Sequence, residues 1–382
     1  MFLRFCLTLV LLLSMHLCLA SNPDSDLTKP SAAAQQMIAT LRLQEHNTAS
    51  REHPRWQKPN HIVVVVPPEF AAMSTPLVTA LQQIAGDIPL STYQPSAQEK
   101  PPAYLQQADV VFGWCNQQLL SLLPKLVWIQ QFSAGAEKCT STTGITQQDF
   151  ILTNAQHMAS PVIAEHAIAM MLSLTRQLPL YQRQQMQQTW QRPTQLTSTD
   201  INQKTLLVLG LGGIGTEVAK RAHGLGMRVI ATRNSSRKGP EYVDYVGLAD
   251  EMLKLAEQAD VVINALPYTR ATENVINAEF LAALKPGSYY ISVGRGKTTD
   301  LTALTKALTS HQLAGVGLDV TEPEPLPSDH PLWQMDNVII TPHVAGFSKS
   351  AIQRNFLLYQ ENLRRYLQGD KLLNIVDLKR GY

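Results

Sequence analysis

The chain has 382 residues, which at roughly 100 to 200 residues per domain predicts two domains, or three, each with a sizeable core. Hydrophobic residues make up 45% and charged residues 16%, and 32 Lys+Arg against 30 Asp+Glu leave a net charge of +2. That lacks the basic excess of a nucleic-acid binder. The 20 Gly and 23 Pro follow no period, which excludes collagen-like and low-complexity classes, and there is no internal repeat. A globular enzyme is the expectation.

Met1 to Ala20 combine one Arg at position 4, an uncharged Leu-rich run from Phe5 to Leu19 and a small residue before Ser21. This is the layout of a secretory signal peptide at 1–20. The run of 15 residues is shorter than the roughly 20 needed to span a bilayer, so an uncleaved membrane anchor is the second choice. Cys6 and Cys18 leave with such a peptide. Cys115 and Cys139 remain, too few for a disulfide framework, and neither support nor oppose an oxidising compartment. Residues 21–60 are polar and Pro-punctuated, with one helix-like patch at Ala32 to Gln44, and read as a linker. Folding is expected to begin at Ile62.

The run Ile62 to Val66 (IVVVV), stopped by Pro67 and Pro68, has the β-branched, uninterrupted apolarity of a buried parallel strand. Similar runs predict strands at Asp109–Gly113, Leu126–Ile129, Leu206–Leu209, Arg228–Ala231, Asp260–Asn264, Tyr289–Ser292 and Val338–Ile340. Helical patterns lie between them at Thr216–Leu225, Ala249–Gln258 and Ala278–Leu284. Strands alternating with helices predict right-handed βαβ units and a parallel sheet covered on both faces. Ser160 to Arg176 reads as a helix apolar on nearly every face, marking a domain junction or a surface buried against a partner subunit.

Gly210-Leu-Gly212-Gly213-Ile-Gly215 directly follows the strand ending at Leu209 and opens a helix. GxGxxG alone is weak, but in this context it predicts a dinucleotide site. Gly210 allows the tight turn, Gly212 the approach of a pyrophosphate and Gly215 close helix–strand packing, and the helix N-terminus faces the phosphates. The second strand ends without the acid that would hold a ribose 2′-hydroxyl. Arg233-Asn234-Ser235-Ser236-Arg237-Lys238 stands there instead, a cationic, hydroxyl-rich cluster suited to a 2′-phosphate. NADP is therefore the expected cofactor, with NAD as the alternative and a solvated basic loop as the plain reading of the cluster.

Arg295, Glu324 and His343 lie beyond the apolar strands of the second half, where ligands of open α/β sheets bind. A guanidinium grips a carboxylate, and a histidine held by a carboxylate has a fixed tautomer and serves as a proton donor. Hydride reduction of a ketone needs such a donor. No metal site is read.

With these residues on view, the chain resembles the D-isomer-specific 2-hydroxyacid dehydrogenase family, close to its glyoxylate/hydroxypyruvate reductases. The segments that carry the resemblance are Ser133-Ala-Gly135, Ala164-Glu-His166 with Arg176, GLGGIG, Leu266-Pro267, Lys285-Pro-Gly287, VGRGK, LDVTEPEP, Pro331-Leu-Trp333, Thr341-Pro-His343 and the ending Asn374 to Tyr382. The resemblance runs from about Ile62 to the C-terminus. It implies two doubly wound parallel-sheet domains: a Rossmann domain at 157–344, and a discontinuous flavodoxin-like substrate domain at 61–156 and 345–382 that closes over it.

It further implies that Arg295 binds the substrate carboxylate and carbonyl, that His343 is the acid/base and Glu324 its partner, and that Asp319 holds the nicotinamide carboxamide. Amides of Ala134 and Gly135 clamp the carboxylate, and Gly213, Ile214 and Pro267 join the cofactor contacts. The family is usually dimeric, which suits the helix at 160–176. The expected reaction is NAD(P)H-dependent reduction of a small 2-keto acid to the D-2-hydroxy acid and its reverse. The alternatives are a dinucleotide-sensing regulator of the same fold and a formate- or phosphite-type dehydrogenase.

Two departures stand out. Arg233 replaces the acidic ribose ligand, and the leader points to a periplasm or secretory route for a family that draws on intracellular nicotinamide. Asn234-Ser-Ser236 is also an N-glycosylation acceptor inside the phosphate loop. A cytoplasmic or membrane-anchored protein is therefore the alternative location. Trp114 and Phe132 read equally as pocket or core.

Overall fold

The computed structural model describes residues 27–96, 98–142, 144–145, 149–193 and 198–378. The expected signal peptide at 1–20 lies outside them, as do residues 379–382 of the C-terminal segment. The chain divides into two compact units, one formed by the residues up to Ala155 and from Gln353 onward, the other by Gln156–Ile352.

The first unit is built on five parallel strands: β1 (Ile62–Val65), β2 (Leu90–Tyr93), β3 (Val110–Gly113), β4 (Trp128–Gln131) and β5 (Ile151–Thr153). Their order is β2-β1-β3-β4-β5, the flavodoxin-like arrangement. β1, β3 and β4 are buried along their whole length, which is why they show as continuous apolar runs.

The second unit carries seven parallel strands: β6 (Thr205–Leu209), β7 (Arg228–Thr232), β8 (Tyr245–Gly247), β9 (Val261–Asn264), β10 (Ser288–Ser292), β11 (Leu313–Leu318) and β12 (Val338–Ile340). They run in the order β12-β11-β10-β9-β6-β7-β8. The order in which strands are added reverses between β6 and β9, so this is a Rossmann sheet with its switch point at those two strands.

Four strands escaped the sequence reading. β5 and β8 span three residues each, β2 (LSTY) is only partly buried and carries Ser91 and Thr92, and β11 (LAGVGL) is interrupted by glycine. The interruption has a packing cause. A Cβ on Gly317 would stand 3.0 Å from Met170 Sδ, and one on Gly315 would stand 3.2 Å from Leu174 Cδ2. Both partners belong to the helix Ser160–Thr175, which lies on this sheet with Ala164, Ala167, Ile168, Met170, Met171 and Leu174 buried in the unit's own core. The helix's apolarity thus has its explanation inside the second unit. Exposed large apolar residues come just after it, with Met186 at 79% and Trp190 at 96% exposure.

The linker expected at 21–60 is not a free tether over its described part. The helix Ala32–Leu41, capped by Ser31 Oγ on the Ala34 amide, buries Ala34 and Met37. Leu43 is also buried. Arg365 reaches Glu45 at 2.7 Å, Arg51 donates to the Gly369 carbonyl at 2.8 Å, and Trp56 Nε1 donates to the Tyr366 carbonyl at 3.1 Å. Three apolar side chains are too few to mark a folded segment in sequence, and the partners of its charges lie some 320 residues away. Cys115 and Cys139, read as too few for a disulfide framework and as silent on the compartment, form a disulfide with a Cα–Cα distance of 5.0 Å, within the usual range for such bonds.

Candidate active site

In the second unit the glycine loop follows β6 as expected, but the helix opens at Gly213 rather than Thr216 and runs to Gly224. Gly210 has φ +89°, a left-handed backbone that favours glycine, and a Cβ on Gly215 would stand 2.1 Å from the Gly210 carbonyl oxygen. Gly213 passes under His157 and Ser160, whose side chains a Cβ would meet at 2.7 and 2.8 Å. Burial pushes the His157 imidazole below its usual pKa, against the pull of Glu217. A Cβ on Gly212 would meet nothing within 4 Å. The loop is therefore closed on its protein side and open at the helix N-terminus, which fits a dinucleotide pyrophosphate.

β7 ends beside this loop. Thr232 accepts the Leu211 amide on its carbonyl at 2.8 Å and the Gly210 amide on its hydroxyl at 3.3 Å. Arg233 comes next, half-buried, with Nη1 donating to the Lys238 carbonyl at 3.0 Å. Asn234 and Ser235 are exposed. Arg237, expected to add a free donor here, is committed elsewhere. It forms an ion pair with Glu251 and donates to the Tyr245 hydroxyl at 3.0 Å. Glu251 also accepts the Tyr245 hydroxyl and the Leu248 amide, at 2.6 and 2.9 Å. These bonds and Arg237 hold its carboxyl down to about 2. A partner on the next strand–helix connection leaves no local signal in the sequence.

Arg295 follows β10 in a turn flanked by Gly294 and Gly296, and both glycines answer to close approach. A Cβ on Gly294 would stand 2.5 Å from the Leu266 carbonyl oxygen, and one on Gly296 would stand 1.8 Å from that of Thr321. Beneath the turn lies a buried polar network. Thr298 Oγ1 donates to the Arg295 carbonyl at 2.7 Å and accepts from Asn264 Nδ2 at 2.8 Å, while Asn264 Oδ1 accepts the Leu266 amide at 3.0 Å. Tyr290 and Thr299 hydroxyls join at 2.7 Å. The network fixes the Arg295 backbone to the loop that carries Pro267, which is exposed. The guanidinium itself is half-buried and touches the Gly294 carbonyl at 2.9 Å.

Glu324 and His343 meet: Nδ1 of the ring lies 2.9 Å from Oε2 of the carboxylate. The other oxygen accepts the Thr321 amide at 3.2 Å, so Thr321, whose carbonyl Gly296 packs against, positions Glu324 through its amide. The Glu322–Pro323 and Glu324–Pro325 bonds are both cis.

His343 has φ +53°, and its turn is held by Asp319 at the end of β11. The buried Asp319 carboxylate accepts Thr341 Oγ1 at 2.6 Å and the amides of Val344 and Ala345 at 2.9 and 3.0 Å. Its carbonyl accepts the His343 amide at 2.9 Å. With its side chain 2% exposed, Asp319 holds the histidine turn. His166 completes the set, with Nε2 2.9 Å from Thr341 Oγ1. The Thr341 hydroxyl donates to Asp319, so the ring must donate to it. Thr341 and His166 were visible only as parts of motifs, with no sign of this bond.

In the first unit, Ser133-Ala134-Gly135 follows β4 and is anchored by its carbonyls. Those of Ser133 and Ala134 accept the Ala155 amide at 3.0 Å and Asn154 Nδ2 at 2.7 Å. That of Gly135 accepts Ser133 Oγ at 2.9 Å and also the Gln131 side chain. The amides of Ala134 and Gly135 have no acceptor among the described residues. An anion is the natural complement of such a pair.

Gly296→Ala should drive the 321–324 segment and its glutamate off His343. A displacement of about 1 Å at a catalytic group costs about 10²-fold. Steady-state assays should show that loss in kcat while dinucleotide titrations show binding close to wild type. Full activity would show that the turn has room to give.

A family model described as D-isomer specific 2-hydroxyacid dehydrogenase, NAD binding domain, matches residues 168–345. A glyoxylate reductase of Korarchaeum cryptofilum is 31% identical over 268 residues, 69% of this chain and 79% of that protein. Among solved structures, a D-isomer specific 2-hydroxyacid dehydrogenase of Xanthobacter autotrophicus in complex with NADPH and MES superposes with TM-score 0.73 at 26% identity, over 84% of this chain and 99% of that one. A D-lactate dehydrogenase of Aquifex aeolicus complexed with NAD and lactic acid gives 0.68 at 26% identity, over 81% and 96%. The likeness covers both units and the motifs that build the glycine loop, the arginine turn and the histidine turn. This chain belongs to the D-isomer specific 2-hydroxyacid dehydrogenase family.

Proposed function

We propose that the protein reduces a small 2-keto acid to the D-2-hydroxy acid with NADPH as preferred cofactor, and catalyses the reverse. The observation that carries this reading is the His343–Glu324 pair at 2.9 Å, with His343 on a turn fixed from below and Glu324 on the loop that packs against the Arg295 turn. An ionised carboxylate only accepts, so Glu324 keeps the proton on Nδ1 and leaves Nε2 for the substrate. The protonated ring gives its Nε2 proton to the carbonyl oxygen as the carbonyl carbon is reduced, and the neutral ring takes that proton back in the oxidation direction. Arg295 offers a fork to the keto acid, and the amides of Ala134 and Gly135 suit its carboxylate. When bound, the nicotinamide supplies the hydride. His343→Ala should lower kcat by about 10² to 10⁴-fold with dinucleotide affinity little changed; near-normal turnover would remove His343 from the mechanism.

The NADPH preference rests on Arg233 at the end of β7, beside the glycine loop. An acid there would accept ribose hydroxyls and repel a 2′-phosphate, whereas a guanidinium attracts the phosphate and has nothing to accept with. Arg237 supports this less directly, being paired with Glu251. Solved relatives carry either NADPH or NAD, so Arg233 is the discriminating residue. Arg233→Asp should cut the NADPH:NADH ratio of kcat/KM by at least about tenfold, or about 1.4 kcal/mol. A wild-type enzyme faster with NADH would refute the preference.

Export to an oxidising compartment is the accompanying proposal, supported by the leader at 1–20 and by the Cys115–Cys139 disulfide. Protein recovered from its native cells should begin near Ser21 in mass spectra and show no free thiol when denatured without reductant. An intact Met1 together with free thiols mapped to Cys115 and Cys139 would place it in a reducing compartment.

A further inference from the structure

Three aromatic side chains stand at the carboxyl edge of the first unit's sheet: Phe70 after β1, Trp114 after β3 and Phe132 after β4. Trp114 is the middle member, with its ring centroid 5.6 Å from Phe70 and 5.1 Å from Phe132, the latter at 89°. The row continues inward through Tyr359, 5.2 Å from Phe132, to the buried Phe112 and Trp128. The inner rings are core. The outer three are only half-buried, so packing alone does not use their faces.

They are also held rigidly. The Phe132 carbonyl accepts the Tyr359 hydroxyl at 3.1 Å, and its amide donates to the Gly113 carbonyl at 3.2 Å. Trp114 is followed directly by Cys115, whose disulfide to Cys139 closes a segment of chain containing β4, Phe132 and the Ser133–Gly135 loop. Both cysteines are buried. A half-exposed aromatic face is thus stapled to two amides that have no acceptor among the described residues. Such a pair of surfaces recognises a molecule that is anionic at one end and flat and apolar at the other.

We infer that Phe70, Trp114 and Phe132 receive the substrate side chain, and that the substrate class is 2-keto acids bearing an aryl or extended apolar group rather than glyoxylate. This rests on the reading above that the Ala134 and Gly135 amides take the carboxylate. Desolvating an aromatic group against such a wall separates it from a substrate with no side chain by at least about tenfold.

The test compares kcat/KM for phenylpyruvate and glyoxylate with NADPH and NADH. Wild type should favour phenylpyruvate at least about tenfold, and Trp114→Ala should remove that preference. Trp114→Phe, which keeps an aromatic ring and guards against misfolding, should retain most of it. A preference for glyoxylate, or equal losses on both substrates in Trp114→Ala with a wild-type melting curve, would overturn the inference. If neither keto acid turns over with either cofactor, the reductase reading itself fails. The subsite is then read separately, by quenching of tryptophan fluorescence with D-phenyllactate. Quenching in wild type that Trp114→Phe lacks supports the aromatic face, and its absence in wild type overturns it.

Discussion

The buried carboxylate of Asp319 is the constraint on which the histidine's position depends. The His343–Glu324 pair cannot supply that constraint, since its side chains are 51% and 40% exposed and an exposed ion pair contributes about 0 to 1 kcal/mol. Asp319 can, because its charge lies among donors that have no other acceptor: the Thr341 hydroxyl and the amides of Val344 and Ala345. Leaving such a carboxylate or such amides unpaired in the interior costs several kcal/mol. The left-handed backbone at His343 is held by that cost, and His166 extends the hold to the long helix through Thr341.

The glycines of the second unit express the same economy of space. Gly215 admits the Gly210 carbonyl, Gly294 the Leu266 peptide and Gly296 the Thr321 peptide. Each marks a place where two backbones meet with no room for a side chain, and together they join the cofactor loop, the arginine turn and the glutamate loop. The Arg295 turn and Glu324 are thereby linked through one residue: the Thr321 carbonyl meets Gly296, and the Thr321 amide donates to Glu324.

What the sequence made legible follows from where each signal is stored. Fully buried strands such as β1 and β6 advertise themselves, because both faces demand apolar residues. β11 does not, because its glycines serve the helix above it and dilute the pattern. Arg295, Glu324 and His343 could be picked out as residues beyond strand ends, and the structure brings Glu324 and His343 into contact. The pairing of Arg237 with Glu251, the Thr341–His166 bond and the disulfide depend on chain positions that only folding brings together. The segment 32–56 was misjudged for a related reason. Its few apolar side chains and its charges find their complements in the last helix and the turn after it, at Arg365 and Gly369.

A net charge of +2 is by itself a weak basis for handling a dinucleotide and a carboxylate, both anionic. Under the function proposed above, the loops at 133–135 and 210–215 meet this demand with backbone in place of net charge. At 133–135 the carbonyls are taken up by Asn154, the Ala155 amide, Ser133 and Gln131, which leaves amides on the other side of the loop. At 210–215 the Gly210 carbonyl is taken up by the Gly212 amide at 2.9 Å, and the first amides of the helix remain. Fixed amides cost no reorganisation when the anion arrives and do not attract polyanions over the rest of the surface. Under the same proposal, arginine serves at the two points where a forked donor distinguishes one anion from another: Arg233 beside the glycine loop and Arg295 in the turn after β10.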